Sequence, residues 1–501
     1  MSFFHLPRLA AVAAIASLAF TSFATPATRA GDFTGKKVLL VVGEADEDRP
    51  TDDNLVKEHL ESLGLVVTTA TDAESLEKAK GADLVVISGS VNPYAIAHDY
   101  KELAVPILTW SAQTYPLLGM TGSERHKDFE MIEPTQYFPQ SFTDLYGYCV
   151  NPTHPIALEA GLPAKMFGTL YLLPGESNWG KAGMAAQVIA VDEGNSDKDC
   201  LFTYEKGAAL VDGSWAPARR ASFWLGAANF HYLTAVHGPA AKDPASATWY
   251  VGLKLFDATV HWALSKPVES PLKTAADIHA ALAAAAKGKS VLYVERFMAG
   301  EGKAADEHNV AYLRELGFKV TVGDQVDAEV TTGDYAMVVL SATCSKYKLN
   351  GKYGESNFPL MCHEGLYADS IHVAGFNRYT DYGEHGEEKE SADPQEAYLN
   401  VVNPWHPMAA GLPGGPVQVI KEPDVLKWAT PTRSAIVIAS LPFSEHQAAI
   451  LAYEKGSMMV DHYTSPARRT LFPLDNPAFD DLTPAGLALY DACVLWTIGS
   501  K

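Results

Sequence analysis

Lys37-Val-Leu-Leu-Val-Val42 and Ser290-Val-Leu-Tyr-Val-Glu295 decide the fold of this 501-residue chain. Each is a short, almost wholly apolar run, the pattern of a strand covered on both faces. Each is followed by a helical pattern that stops at a glycine. The first is His59-Leu-Glu-Ser-Leu-Gly64 and the second is Tyr312-Leu-Arg-Glu-Leu-Gly317. Further strands are expected at 65–69, 83–88 and 105–109. The second half repeats that order near 319–322, 335–340 and 358–362. Strands alternating with helices predict an α/β fold with a doubly wound, mainly parallel sheet.

The repetition runs further. Asn151-Pro-Thr-His-Pro155 returns as Asn403-Pro-Trp-His-Pro407, and Tyr204-Glu-Lys-Gly207 as Tyr453-Glu-Lys-Gly456. Pro217-Ala-Arg-Arg220 returns as Pro466-Ala-Arg-Arg469. The offset is 253 residues at the first strands and 249 at the last motifs. A period that long means two whole domains in tandem rather than a solenoid. Their expected bounds are 31–264 and 290–501, joined by a helical linker at 265–289. The two copies are expected to pack together as an intramolecular pseudo-dimer. Within each, the His-Pro segment reads as a turn whose histidine bonds the loop backbone. The arginine pairs read as internal ion-pair partners of Glu205 and Glu454.

Residues 1–30 read as a signal peptide. Arg8 precedes an apolar stretch over 9–20 that is too short to span a bilayer. Ala24 or Ala30 offers the cleavage site. The mature protein is therefore expected to be exported, periplasmic or extracellular, with no transmembrane anchor. The chain holds 39 Lys and Arg against 60 Asp and Glu, a net charge of −21, which argues against nucleic-acid or anionic-lipid partners. Its five cysteines are widely spaced and form no zinc motif. One or two disulfides would fit an oxidising compartment, without the fold depending on them. No metal or other cofactor is expected.

Ligands of open parallel sheets bind at the carboxyl ends of the strands. The fourth strand of each copy runs into a turn there: Val105-Pro-Ile-Leu-Thr-Trp-Ser-Ala-Gln113 and Phe358-Pro-Leu-Met-Cys-His-Glu-Gly-Leu366. A strand ending in a sharp turn with one exposed side chain is a nucleophile elbow. With these segments the chain resembles the class I glutamine amidotransferase-like superfamily and is most similar to its ThuA-like (trehalose utilisation-like) branch. The resemblance implies two flavodoxin-like domains of that type. It also implies a Gly-x-Cys-x-Gly elbow with a cysteine nucleophile and a later His-Pro-Glu segment. Ser111 and Glu364 fall on the cysteine position, the flanking glycines are replaced, and the His-Pro-Glu segment is missing.

Two catalytic expectations follow. Ser111 could act as a nucleophile with His231 as its base, or could simply cap a following helix at 112–118. Glu364 beside His363 could form an acid–base pair, joined by Asp461 and His462, or a polar strand-end cluster. Trp110, His363, Asp461 and His462 are the candidate binding residues. Because neither copy keeps the elbow chemistry, the favoured reading is an exported, non-catalytic domain pair. It would bind a small ligand, such as a carbohydrate, or a protein partner. The alternatives are a hydrolase acting on a glycan or ester through Ser111 or Glu364, and a structural cell-surface module.

Overall fold

The computed structural model describes residues 33–44, 50–72, 75–96, 100–132, 144–162, 169–174, 177–235, 241–243, 248–267, 274–326, 334–385, 393–444 and 446–499. The expected signal peptide lies outside them. The chain divides between Val268 and Glu269 into two compact units.

In the first unit five strands run parallel: Lys37–Val42, Val66–Thr71, Leu84–Ile87, Ile107–Thr109 and Arg220–Ser222. Lys37–Val42 pairs with Val66–Thr71 on one side and Leu84–Ile87 on the other. Ile107–Thr109 and Arg220–Ser222 then follow outward, which is the 2-1-3-4-5 order of flavodoxin-like sheets. Every side chain of Leu84-Val-Val-Ile87 is fully buried. This is why the central strands read as unbroken apolar runs.

The sheet does not stop at its parallel core. Asp199–Tyr204, Gln187–Asp192 and Asp144–Cys149 add to it antiparallel, so the mainly parallel sheet carries an antiparallel extension. A side pair of antiparallel strands, Phe129–Ile132 with Ser177–Gly180, branches off where Gly180 meets Asp199.

The second unit has the same order. Lys319–Asp324, Ser290–Glu295, Tyr335–Leu340, Leu360–Cys362 and Arg469–Leu471 are parallel. Ala448–Tyr453, Ile436–Ser440 and Tyr398–Val401 extend them antiparallel. The side pair is Tyr382–His385 with Leu426–Ala429, branching at Ala448. Each unit thus has a flavodoxin-like α/β sheet. The linker's helix, Ala275–Ala286, packs on the second unit's last helix, Pro484–Ile498. That last helix starts where Thr483-Pro484 says it should, with the Thr483 side chain accepting the Gly486 N–H.

Both repeated motif readings hold at atomic level. Arg219 forks onto Glu205 through Nε and Nη2, each at 2.8 Å. Arg468 meets Glu454 in the same way at 2.9 and 3.0 Å. Each guanidinium also lies over a tryptophan of the unit's long C-terminal helix, Trp262 at 4.4 Å and Trp496 at 4.3 Å. His154 and His406 cap the turn after them, each Nδ1 accepting the amide two residues on.

Candidate functional site at the two strand-end elbows

The fourth strand of the first unit ends at Thr109, and Ser111 lies in the turn beyond it, 2% exposed. The following helix is Thr114–Leu117, and no side chain caps it. Ser111 contributes its carbonyl instead, which accepts the Thr114 N–H at 2.9 Å and the Thr114 hydroxyl at 2.7 Å. The expected side-chain cap at 112–118 is corrected accordingly.

The space over this elbow is taken by Asn178, which comes from the side strand pair and is itself 2% exposed. Its Nδ2 donates to the carbonyls of Trp110 at 2.6 Å and Leu225 at 2.5 Å. Its Oδ1 accepts the Ala112 N–H at 3.3 Å. The amide after the elbow residue is the group that stabilises an oxyanion in nucleophile-elbow enzymes. Here an internal side chain holds it. Neighbouring loops close in as well: a Cβ on Gly89 would sit 3.1 Å from the Ala227 nitrogen and 3.2 Å from the Trp110 ring.

His231 is not brought to Ser111. Its Nδ1 and its backbone N–H both meet Asp52 Oδ2, at 2.8 and 2.9 Å, and its side chain is 44% exposed. Asp52 precedes the helix Asp53–Ser62, so the pair joins two helix starts. Trp110 is not a binding surface either. It is 1% exposed and packs edge-on against Phe256 in the core.

At the equivalent elbow of the second unit, Glu364 is 5% exposed. One carboxylate oxygen caps the 3-10 turn Gly365–Tyr367 by accepting the Leu366 N–H at 2.9 Å. The other accepts from Lys427 Nζ at 3.2 Å. Lys427 also pairs with Asp475 at 3.1 Å and is as deeply buried as Glu364. Burial pushes the Glu364 carboxyl up, with Lys427 opposing. Burial pulls on the Lys427 ammonium too, but Glu364 and Asp475 outweigh it and hold the lysine charged.

Lys427 stands on Leu426–Ala429, the strand that corresponds to Ser177–Gly180. Asn178 and Lys427 therefore occupy one position, 249 residues apart, and both reach the elbow. Asn178 holds the backbone on either side of Ser111, whereas Lys427 bonds the Glu364 carboxylate itself.

His363 is 1% exposed, between the rings of Phe472 and Tyr490, and burial, with Lys427 nearby, drives its pKa down to about 3. A neutral, enclosed imidazole with no path to Glu364's carboxylate is a core residue rather than an acid–base partner. Asp461 and His462 are exposed, on the turn Val460–His462 with φ of 56° and 57°. That turn lies between Ala448–Tyr453 and the start of Arg469–Leu471. It therefore sits at the amino edge of the parallel strands, opposite Glu364. The structure does not bring either residue to the elbow.

The sequence reading missed a second polar cluster at these strand ends. Asp53 accepts the hydroxyls of Ser88 at 2.5 Å and Ser90 at 2.7 Å. Asp306 accepts those of Ser341 at 2.5 Å and Thr343 at 2.7 Å. The hydroxyl–small–hydroxyl pattern, Ser88-Gly-Ser90 and Ser341-Ala-Thr343, was the available signal. Among the described residues no group of three or more His, Cys, Asp or Glu is placed to hold a metal ion, and no helix is long and apolar enough to cross a membrane. All five cysteines are buried and unbridged.

No protein-family model and no curated protein matches the chain. Among solved structures it is similar to one described as a GMP synthase component from Thermoplasma acidophilum. The identity is 11% and the TM-score 0.28, over 46% of this chain and 94% of that one.

Proposed function

We propose that this chain is a non-catalytic binding module, built from two copies of an amidotransferase-like domain in which the catalytic elbow has become part of the packing. The observation that carries the reading is the hold of Asn178 on the Ala112 amide, with Lys427 on Glu364 as its counterpart. A nucleophile needs an accessible reacting atom, a base and a free oxyanion donor. Ser111 has its base elsewhere and its donor occupied; Glu364 has its charge matched by an internal ammonium. The apolar stretch at 9–20 supports export, and the acidic surface supports a ligand that is not anionic. A small ligand such as a carbohydrate, or a protein partner, is the expected cargo.

The experiment is a search for turnover at the elbows. Purified protein should take no label from a fluorophosphonate probe and release no ammonia from glutamine. Label that Ser111→Ala abolishes, or ester or glycan hydrolysis that Glu364→Gln abolishes, would overturn the reading.

A further inference from the structure

The elbows differ between the units, but the loop after the third strand does not. In each unit the first helix offers a carboxylate, Asp53 or Asp306, to the two hydroxyls of that loop. In each, the first of those hydroxyls accepts the amide two residues on, Ser90 at 3.2 Å or Thr343 at 3.0 Å. In each, the residue after the second strand accepts a loop amide. Asp72 takes Asn92 N–H at 2.8 Å, and Gln325 takes Ser345 N–H at 2.7 Å. A short helix follows, Pro93–Ile96 or Lys346–Leu349, and its second residue is a tyrosine. Tyr94 is 91% exposed and Tyr347 88%. Neither side chain makes a hydrogen bond or a ring contact with another described residue. By contrast, the exposed Tyr379 and Phe297 lie under Arg378 and Lys303.

A single exposed aromatic is ordinary. Two at one position, each presented by the same four-residue hydrogen-bonded frame at the carboxyl edge of the sheet, are a built feature. The flanking residues say what the ring meets. Tyr347 stands between Lys346 and Lys348, whereas Tyr94 stands between Pro93 and Ala95. The shared element is the ring with its hydroxyl, not a charge. No further exposed large apolar side chain occurs within the short helix of either loop, so these are not the contiguous patches that protein hot spots need. A flat amphipathic ring in a polar setting suits a ligand with a C–H face and hydroxyls around it. The net charge of −21 disfavours an anionic one.

We propose that Tyr94 and Tyr347 are the contact residues for an uncharged polysaccharide, each stacking on a sugar ring. The inference rests on the binding-module reading above and names its ligand class. The test is affinity electrophoresis through native gels containing starch, dextran, β-glucan or galactomannan, one per gel. At least one should retard the wild type. Tyr94→Ala and Tyr347→Ala should each weaken retardation, and the double variant should weaken it roughly tenfold or more. Thermal melting should be unchanged, because both side chains are exposed. Absence of retardation in every gel overturns the inference. A double variant retarded like the wild type also overturns it, while leaving the non-catalytic reading to the labelling experiment, which these tyrosines do not affect.

Discussion

Lys427 Nζ lies 3.2 Å from Glu364 Oε2, and both side chains are almost wholly withdrawn from water. Removing Lys427 leaves Glu364 as an uncompensated buried charge, a cost of about 3–5 kcal/mol. Lys427→Asn alone should therefore destabilise the second unit strongly in denaturant titrations. Glu364→Ser added to it removes the stranded carboxylate, installs the two residue types that the first unit carries at these positions, and should recover most of the loss. A double-mutant cycle reads the coupling directly. If the two changes simply add, the lid and elbow are not matched.

Much of the architecture is legible in the sequence alone. The parallel strands announce themselves because burial on both faces demands apolar runs, as in Leu84-Val-Val-Ile87. Gly64 and Gly317 mark the ends of the first helices because their φ values of 87° and 105° are positive. The roles of Asn178 and Lys427 are not legible there. They arrive from a side strand more than sixty residues beyond the elbow, and nothing local in Ser177-Asn-Trp-Gly180 or Leu426-Lys-Trp-Ala429 tells which strand end it will cover. Asp461 and His462 mislead for the opposite reason. They lie next to a strand that does adjoin the elbow strand, but the hairpin delivers them to its far end.

Arg219 and Arg468 make the same carboxylate and tryptophan contacts in different amounts of water, and Arg219 also donates to Ser265. The Arg219–Glu205 side chains are 2% and 7% exposed, those of Arg468–Glu454 9% and 20%. Arg219→Ala strands a carboxylate in the interior and should cost about 3–5 kcal/mol. Arg468→Ala lets water reach Glu454 and should cost less, roughly 1–3 kcal/mol. Equal losses in urea titrations would mean that the guanidinium–tryptophan packing, which is alike in both, dominates the charge pairing.

The five thiols should be silent in the native protein. Burial raises all of them, Cys149 up to about 12, and Cys200, Cys344, Cys362 and Cys493 also upward. A thiolate is the reactive species, so an aromatic disulfide reagent at pH 8 should find none at a measurable rate and five after denaturation. The expected disulfides would instead leave fewer than five titratable thiols in the denatured protein without reductant. Rapid native labelling of even one cysteine would contradict its burial.

His154 should make the first unit sensitive to acid. Its side chain is 3% exposed, and burial lowers its pKa from 6.5 to about 3, with Arg219 adding to the shift and Gln187 opposing it. The folded state therefore keeps the imidazole neutral while the unfolded chain takes up a proton below pH 6.5. Unfolded protein binds more protons throughout the interval between the two values. Stability from this group is complete above about 6.5 and falls as pH drops toward 3, with a slope of up to about 1.4 kcal/mol per pH unit. His154→Asn keeps an oxygen that can accept the Ile156 N–H, so the helix Pro155–Glu159 retains its cap. Urea titrations at pH 7 and 5.5 should show the wild-type first unit losing stability that the variant keeps. Identical pH dependence in the two proteins would mean that His154 is protonated in the folded state, and that the turn opens to let the proton in.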